Sequence, residues 1–283
     1  MKLWSRCLLA VASAMLPPVM VDAQTVHIAH CLAGCPQGAA PSNEIIVRNL
    51  FAVSINRQSG LADWVSYRIL PGTVGVASLL PRDWQEDPLL AANIQSEIAV
   101  DSTPRLQQPV LDNQQDQAYR LTEFTVAASD RGRLIPMSSF AGTSYWQDLN
   151  YLSVMSPLQA DMRSGPWSRL DQAVNQLSST AGEVFVVAGP LYRSGLPGER
   201  RAAADSFMPE AFYKVIAAAD GAVSAFIFSQ DLPPHASYCA QRVSLAQVEQ
   251  RSGLRLFPDS SAWPAASLDF PLGCNSGDTA REQ

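Results

Sequence analysis

At 283 residues, with 47% hydrophobic and 16% charged side chains, the chain is long enough for one large domain or two ordinary ones and too apolar to be a disordered protein. Its formal net charge of −6 excludes a global positive field holding it on nucleic acid or an anionic membrane, so any anion site has to be local. Of its 20 basic residues only Lys2 and Lys214 are lysine; nearly every cation is a planar, permanently charged fork suited to phosphate or carboxylate.

Met1 to Arg6 is basic, Cys7 to Leu16 is apolar, and Val21-Asp22-Ala23 offers small residues at a cleavage position. This is the pattern of a secretory signal peptide. The apolar run is too short to span a bilayer and Pro17-Pro18 closes it, and no later segment is apolar for long enough to form a transmembrane helix. Residues 1–23 therefore read as a signal peptide and 24–283 as the domain it exports, secreted or periplasmic. Loss of Cys7 leaves Cys31, Cys35, Cys239 and Cys274, an even number that in an exported chain reads as disulfides. Three pairings are possible. The favoured one closes a local loop with Cys31 and Cys35 and ties the C-terminal tail back through Cys239 and Cys274.

Further along, Leu50 to Ile55 and Trp64 to Leu70 are strand-like runs separated by Asn56-Arg57-Gln58-Ser59-Gly60, a hairpin that Pro71 ends. Leu79 to Gln117 is rich in Pro, Asp, Gln and Asn and reads as a long surface excursion with short helices. Arg120 to Ala128 and Leu149 to Met155 are strand-like. Met162, Trp167, Leu170, Val174 and Leu177 recur mostly at three- and four-residue spacing, which predicts an amphipathic helix. Glu183 to Ala188, Phe212 to Ala217 and Val223 to Ser229 read as further strands, and Ser244 to Ser252 as a short helix stopped by Gly253. Trp64, Trp84, Trp146, Trp167 and Trp263 read as core anchors rather than base-stacking platforms. Arg200-Arg201 reads as a solvated loop. No repeat or low-complexity linker divides the chain, so one mixed domain with a central sheet is expected.

The charged tetrad Asp130-Arg131-Gly132-Arg133 follows a strand, Asn150-Tyr151-Leu152-Ser153 comes later, and Pro157 and Asp161 to Asp171 lead into the helix. This order resembles the DNA/RNA non-specific endonuclease family, the sugar-non-specific nucleases of the ββα-metal superfamily. Cys31 to Pro36, Val65 to Ile69, Gly189 to Tyr192, Pro209 with Tyr213 to Ile216, and Gly273-Cys274 look like further family landmarks in family order. The resemblance implies an α+β domain with a central antiparallel sheet flanked by helices, carrying a ββα-metal (His-Me finger) motif. It implies a phosphodiesterase site in which a histidine ends the tetrad and activates water, an asparagine early in the helix holds one magnesium, and arginines bind the phosphate. By position, the tetrad arginine is Arg131, the upstream phosphate-binding arginine is Arg68, and the acid of the helix is Asp171.

Two decisive positions depart from the pattern: Arg133 stands where the family has histidine, and Arg163 where it has the metal-binding asparagine. Val154 and Leu158 fill two more positions that are polar in the family. An arginine has essentially no free base at neutral pH, and a guanidinium about 4 Å from a dication repels it by up to about 8 kcal/mol at an effective dielectric near 20. No cofactor is expected, and magnesium is not expected to bind at the family position. Asp130, Asp161 and Glu123 are the substitute bases to consider, while His27, His30 and His235 read as structural. Arg68, Arg131, Arg133 and Arg163 are expected to converge, either as a phosphate-binding pocket or as a salt-bridged remnant with Asp130, Asp161 or Asp171. The expected protein is then a secreted nuclease-family member, impaired or inactive. Its alternatives are weak metal-free cleavage with Arg163 as electrophile, a pseudonuclease holding DNA, RNA or another polyanion, and an interaction protein on the old scaffold. A homodimer is possible, although no apolar stripe locates an interface.

Overall fold

Near-continuous apolar runs such as Val184–Leu191 and Ala211–Ala218 need cover on both faces, and here they assemble with their neighbours into one antiparallel sheet. The computed structural model describes residues 27–57, 59–90, 119–121, 124–126, 130–192, 208–260, 263 and 266–275. The sheet has the order β1-β2-β3-β8-β9-β10-β11. Its strands are β1 (Glu44–Val47), β2 (Phe51–Ile55), β3 (Ala62–Ile69), β8 (Val184–Leu191), β9 (Ala211–Ala218), β10 (Val223–Ser229) and β11 (Arg242–Val243). Two small hairpins lie outside it: β4 (Tyr119–Leu121) with β5 (Phe124–Val126), and β6 (Arg131–Arg133) with β7 (Met155–Pro157).

Alternation along β3 sorts its side chains onto two faces. Val65, Tyr67 and Ile69 join one core with Leu170, Val174 and Leu177 of helix α1 (Ser168–Ala181). Trp64 joins the other, with Val248 of helix α2 (Leu245–Ser252), Leu256 and Cys31. A Ser244/Gln247 capping box starts α2 and Gly253, at φ 71°, ends it. Both disulfides form in the favoured pairing, Cys31 with Cys35 and Cys239 with Cys274. The α+β, single-domain architecture with a ββα unit (β6, β7, α1) agrees with expectation.

Some local expectations differ. Leu149 to Met155 is not a strand: 3-10 turns at Trp146–Asn150 and Leu152–Val154 precede β7. Its polar residues Asn150 and Ser153 are buried and bond across to residues 81 and 87, and such side-chain bonds compete with a ladder. The hairpin β4–β5 replaces a single strand at 120–128. β1 went unread because it is an edge strand whose Ile45 and Val47 face solvent, 60% and 47% exposed. The leader, residues 91–117 of the excursion, Glu123 and Arg200-Arg201 lie outside the described residues. Residues 79–90 form turns rather than helices, anchored by buried Asp87, which accepts from Arg48 and from Ser153 Oγ.

Candidate functional site

The strand pair β6–β7, joined by the long connection 134–154, lies against the entrance to α1. Gly132 pairs with Ser156, and a Cβ there would lie 2.8 Å from Leu158 Cβ and 3.0 Å from Arg163 Cδ, so the absence of a side chain lets the Arg163 stem pass. Before α1 the chain kinks at Gly165, whose φ −90°, ψ −113° is not helical, between the turn at Ala160–Met162 and α1. A Cβ on Gly165 would come within 2.4 Å of Pro234 O, so glycine permits the close approach of the Pro233-Pro234 loop. Arg163, just ahead of this kink, lies across β6, where its Nη1 donates to Arg131 O at 2.5 Å.

The result is a cleft of about 490 Å³ lined by Arg82, Arg131, Arg133, Ser138, Arg163 and Asp171 among others. Arg133 is held on three sides. Its Nε donates to Leu149 O at 2.9 Å, and its Nη2 donates to Arg82 O at 3.0 Å and to Asn150 Oδ1 at 2.6 Å. Its guanidinium carbon lies 4.1 Å over the Trp84 ring, a cation–π contact. Burial, together with the nearby Arg82 and Arg163 charges and opposed by Asp83, pushes the Arg133 pKa down to about 10. Burial also lowers the Arg163 pKa, opposed by Asp130. Both guanidinium groups stay charged at neutral pH.

At the cleft floor the carboxylate of Asp171 accepts from Nζ of Lys214, which reaches through the core from β9 and sits 3.7 Å from the Trp167 ring centroid. Both groups are buried. Desolvation raises the Asp171 pKa against the pull of Lys214, and lowers that of Lys214 against the pull of Asp171. The pairing keeps the charged state of each.

Of the four arginines expected to converge, Arg131, Arg133 and Arg163 do so, beside Asp171. Arg68 does not. Its strand neighbour Tyr67 faces α1, whereas Arg68 stands opposite Phe185 on the other sheet face and bonds Glu183 Oε2 at 3.3 Å. The fourth cleft arginine is Arg82, from the excursion that carried no readable function. Beside it Trp84 is half-buried at the rim under Arg133 rather than a closed core anchor, while Trp64 and Trp167 are fully enclosed. Val154 and Leu158 are buried apolar core. Asp161 is exposed and does not line the cleft, and Asp130 lies beside Arg163. His30 shares a hydrogen bond of 2.9 Å with Arg48 O, and burial lowers its pKa. Two missed residues had signals: Lys214 is a lone charge in an otherwise apolar strand, and Arg82-Asp83-Trp84 puts a cation beside an aromatic in a polar stretch.

A seven-stranded antiparallel sheet with a ββα unit and an arginine-lined cleft defines a nuclease-type scaffold, and residues 34–262 match the family model described as DNA/RNA non-specific endonuclease. The chain belongs to that family. It is 34% identical over 256 residues to a nuclease from Serratia marcescens, covering 86% of this chain and 85% of that one. A nuclease from Nostoc sp. is 24% identical over 213 residues, covering 73% and 68%. Among solved structures, EndoG in its EndoG/EndoGI complex superposes with a TM-score of 0.54 at 18% identity, covering 76% of this chain and 86% of that one. No helix among the described residues is long and apolar enough to cross a membrane.

Proposed function

We propose that this is an exported member of the DNA/RNA non-specific endonuclease family whose cleft binds the nucleic-acid backbone but has lost magnesium-dependent, base-catalysed hydrolysis. The observation that carries this reading is the state of Arg133. At the place where the resemblance puts the general base stands a charged guanidinium whose edge is bonded to Leu149, Arg82 and Asn150 and whose face is covered by Trp84. It has no lone pair for a water proton at neutral pH.

The side chains around Arg163 do not fit magnesium either. The charged side chains lining the cleft are Arg82, Arg131, Arg133, Arg163 and Asp171, and the Asp171 carboxylate is engaged by Lys214. A hard dication needs oxygen ligands and is repelled by such cations. The same groups suit an anion. Arg82 and Arg131 supply charge to phosphate oxygens, and Arg133 and Arg163 add field while bracing the hairpin. The two disulfides support export to an oxidising compartment.

The test is cleavage and binding of plasmid DNA and RNA by the purified protein, with magnesium and with EDTA, beside an Arg133→His/Arg163→Asn double mutant. The expected result is salt-dependent binding without products for the wild type and magnesium-dependent cleavage gained by the double mutant. Wild-type cleavage that survives EDTA and disappears in Arg131→Ala overturns the loss of catalysis and makes Arg163 the candidate electrophile. Neither cleavage nor binding leaves the interaction-protein reading.

A further inference from the structure

Two successive serines in the 3-10 turn Met137–Ser139, after β6, meet α1 at the same residue, Asn175. Ser139 Oγ lies 2.5 Å from Asn175 Oδ1, and Asn175 Nδ2 lies 3.1 Å from Ser138 Oγ. The first separation suits a hydroxyl donating to an oxygen, and the second an amide N–H donating to a hydroxyl. Turning the amide over would put an N–H donor at a distance too short for it. Ser139 is fully buried, so its single proton is committed to Oδ1 and fixes Nδ2 toward Ser138. A hydroxyl that accepts from an amide keeps its own proton for another acceptor. Ser138 lines the cleft, and among the described residues its Oγ makes no other hydrogen bond.

We infer that Ser138 is a neutral hydrogen-bond donor to a non-bridging phosphate oxygen bound in the cleft, its polarity set by Ser139 through Asn175. This rests on the nucleic-acid-binding reading above. The hydroxyl adds what the surrounding guanidinium groups lack. Their attraction is mainly one of charge, shared among several N–H groups, whereas one oriented O–H favours a single oxygen acceptor over sulfur, a weak acceptor. Exchanging oxygen for sulfur keeps the ligand's net charge, and comparing Ser138→Ala with Arg131→Ala separates the contact of Ser138 from those of the guanidinium groups.

The experiment measures binding of a DNA hexanucleotide by fluorescence anisotropy in EDTA. The all-oxygen strand is compared with stereopure Rp and Sp phosphorothioates on wild type, Ser138→Ala, Asn175→Asp and Arg131→Ala. The wild type is expected to prefer oxygen over one stereoisomer by about fivefold or more, and Ser138→Ala to weaken the all-oxygen strand by about tenfold. That variant abolishes the preference and leaves the disfavoured sulfur strand nearly unchanged. Asn175→Asp turns the relay around, since a carboxylate accepts from both serines and consumes the Ser138 proton. Its added charge weakens every strand, and the oxygen preference disappears as in Ser138→Ala. If Arg131→Ala weakens binding but Ser138→Ala keeps the wild-type oxygen preference, or weakens oxygen and sulfur strands alike, this inference is overturned and the cleft reading stands. If the wild type binds no strand, both fall.

Discussion

The two faces of the sheet treat arginine and lysine in opposite ways. On the α2 face, Arg68 reaches half-open surface and pairs with Glu183, each side chain 36% exposed. On the α1 face, Lys214 is fully enclosed, paired with Asp171 and stacked on Trp167, directly under a cleft lined by arginines. An exposed pair exchanges water for a partner at little net gain, whereas a buried pair tolerates the loss of neither member. The Arg68–Glu183 pair is thus dispensable, whereas the Lys214–Asp171 pair is part of the framework that holds the cleft in shape.

Four measurements sharpen or break that contrast. The largest effect is expected for Lys214→Met, which leaves Asp171 buried and uncompensated: urea unfolding should register a loss of about 3–5 kcal/mol, against at most about 1 kcal/mol for Arg68→Ala. Equal losses would remove the distinction between the faces. Next come the disulfides. Cys239 and Cys274, 35 residues apart, belong to the α1-side core, and replacing both by alanine should cost about 4 kcal/mol. The same change at Cys31 and Cys35, four residues apart, should cost about 2 kcal/mol on chain entropy alone. In binding, Arg131→Ala should weaken single-stranded DNA about tenfold and reduce the steepness of the salt dependence by about 0.7. Arg68→Ala should alter neither quantity; a matching loss there would return Arg68 to the phosphate site.

The smallest effect is one of pH. Because the Arg133 guanidinium is pushed down to about 10, its charge is complete at pH 7 and is lost as pH rises through that value, so anion binding should weaken in that direction. An oligonucleotide of adenine and cytosine, whose bases do not ionise there, should bind about twofold less tightly at pH 10.5 than at pH 8.5 through this charge. Arg133→Gln should flatten that step, and a flat wild-type profile would show that Arg133 contributes no field to the ligand.

Much of the site was legible because it lies on one continuous stretch. The tetrad at 130–133, the buried run at 152–158 and the helix carrying Asp171 follow in order, and local spacing suffices to set a hairpin against a helix. Arg68 was misplaced because resemblance supplies a position along the chain but not a side of the sheet. A strand turns successive side chains to opposite faces, and the neighbouring Tyr67 took the cleft side. Arg82 and Trp84 were missed because their segment has no periodicity. They reach the cleft through long-range bonds, Asn150 Nδ2 to Pro81 O at 3.2 Å and the buried Asp87 anchor, that no local pattern encodes.

The sequence by itself determined the family, the α+β class and the favoured disulfide pairing, since these depend on residue identity and order. Tertiary structure alone decided that Arg133 is braced by Asn150 and stacked on Trp84, that Lys214 pairs with Asp171, and that Asn175 bridges Ser139 and Ser138 beside the cleft. Each of these is a contact between residues distant in the chain. Its energy depends on burial and on hydrogen-bond direction, which exist only once the sheet, the hairpin and the helix have packed.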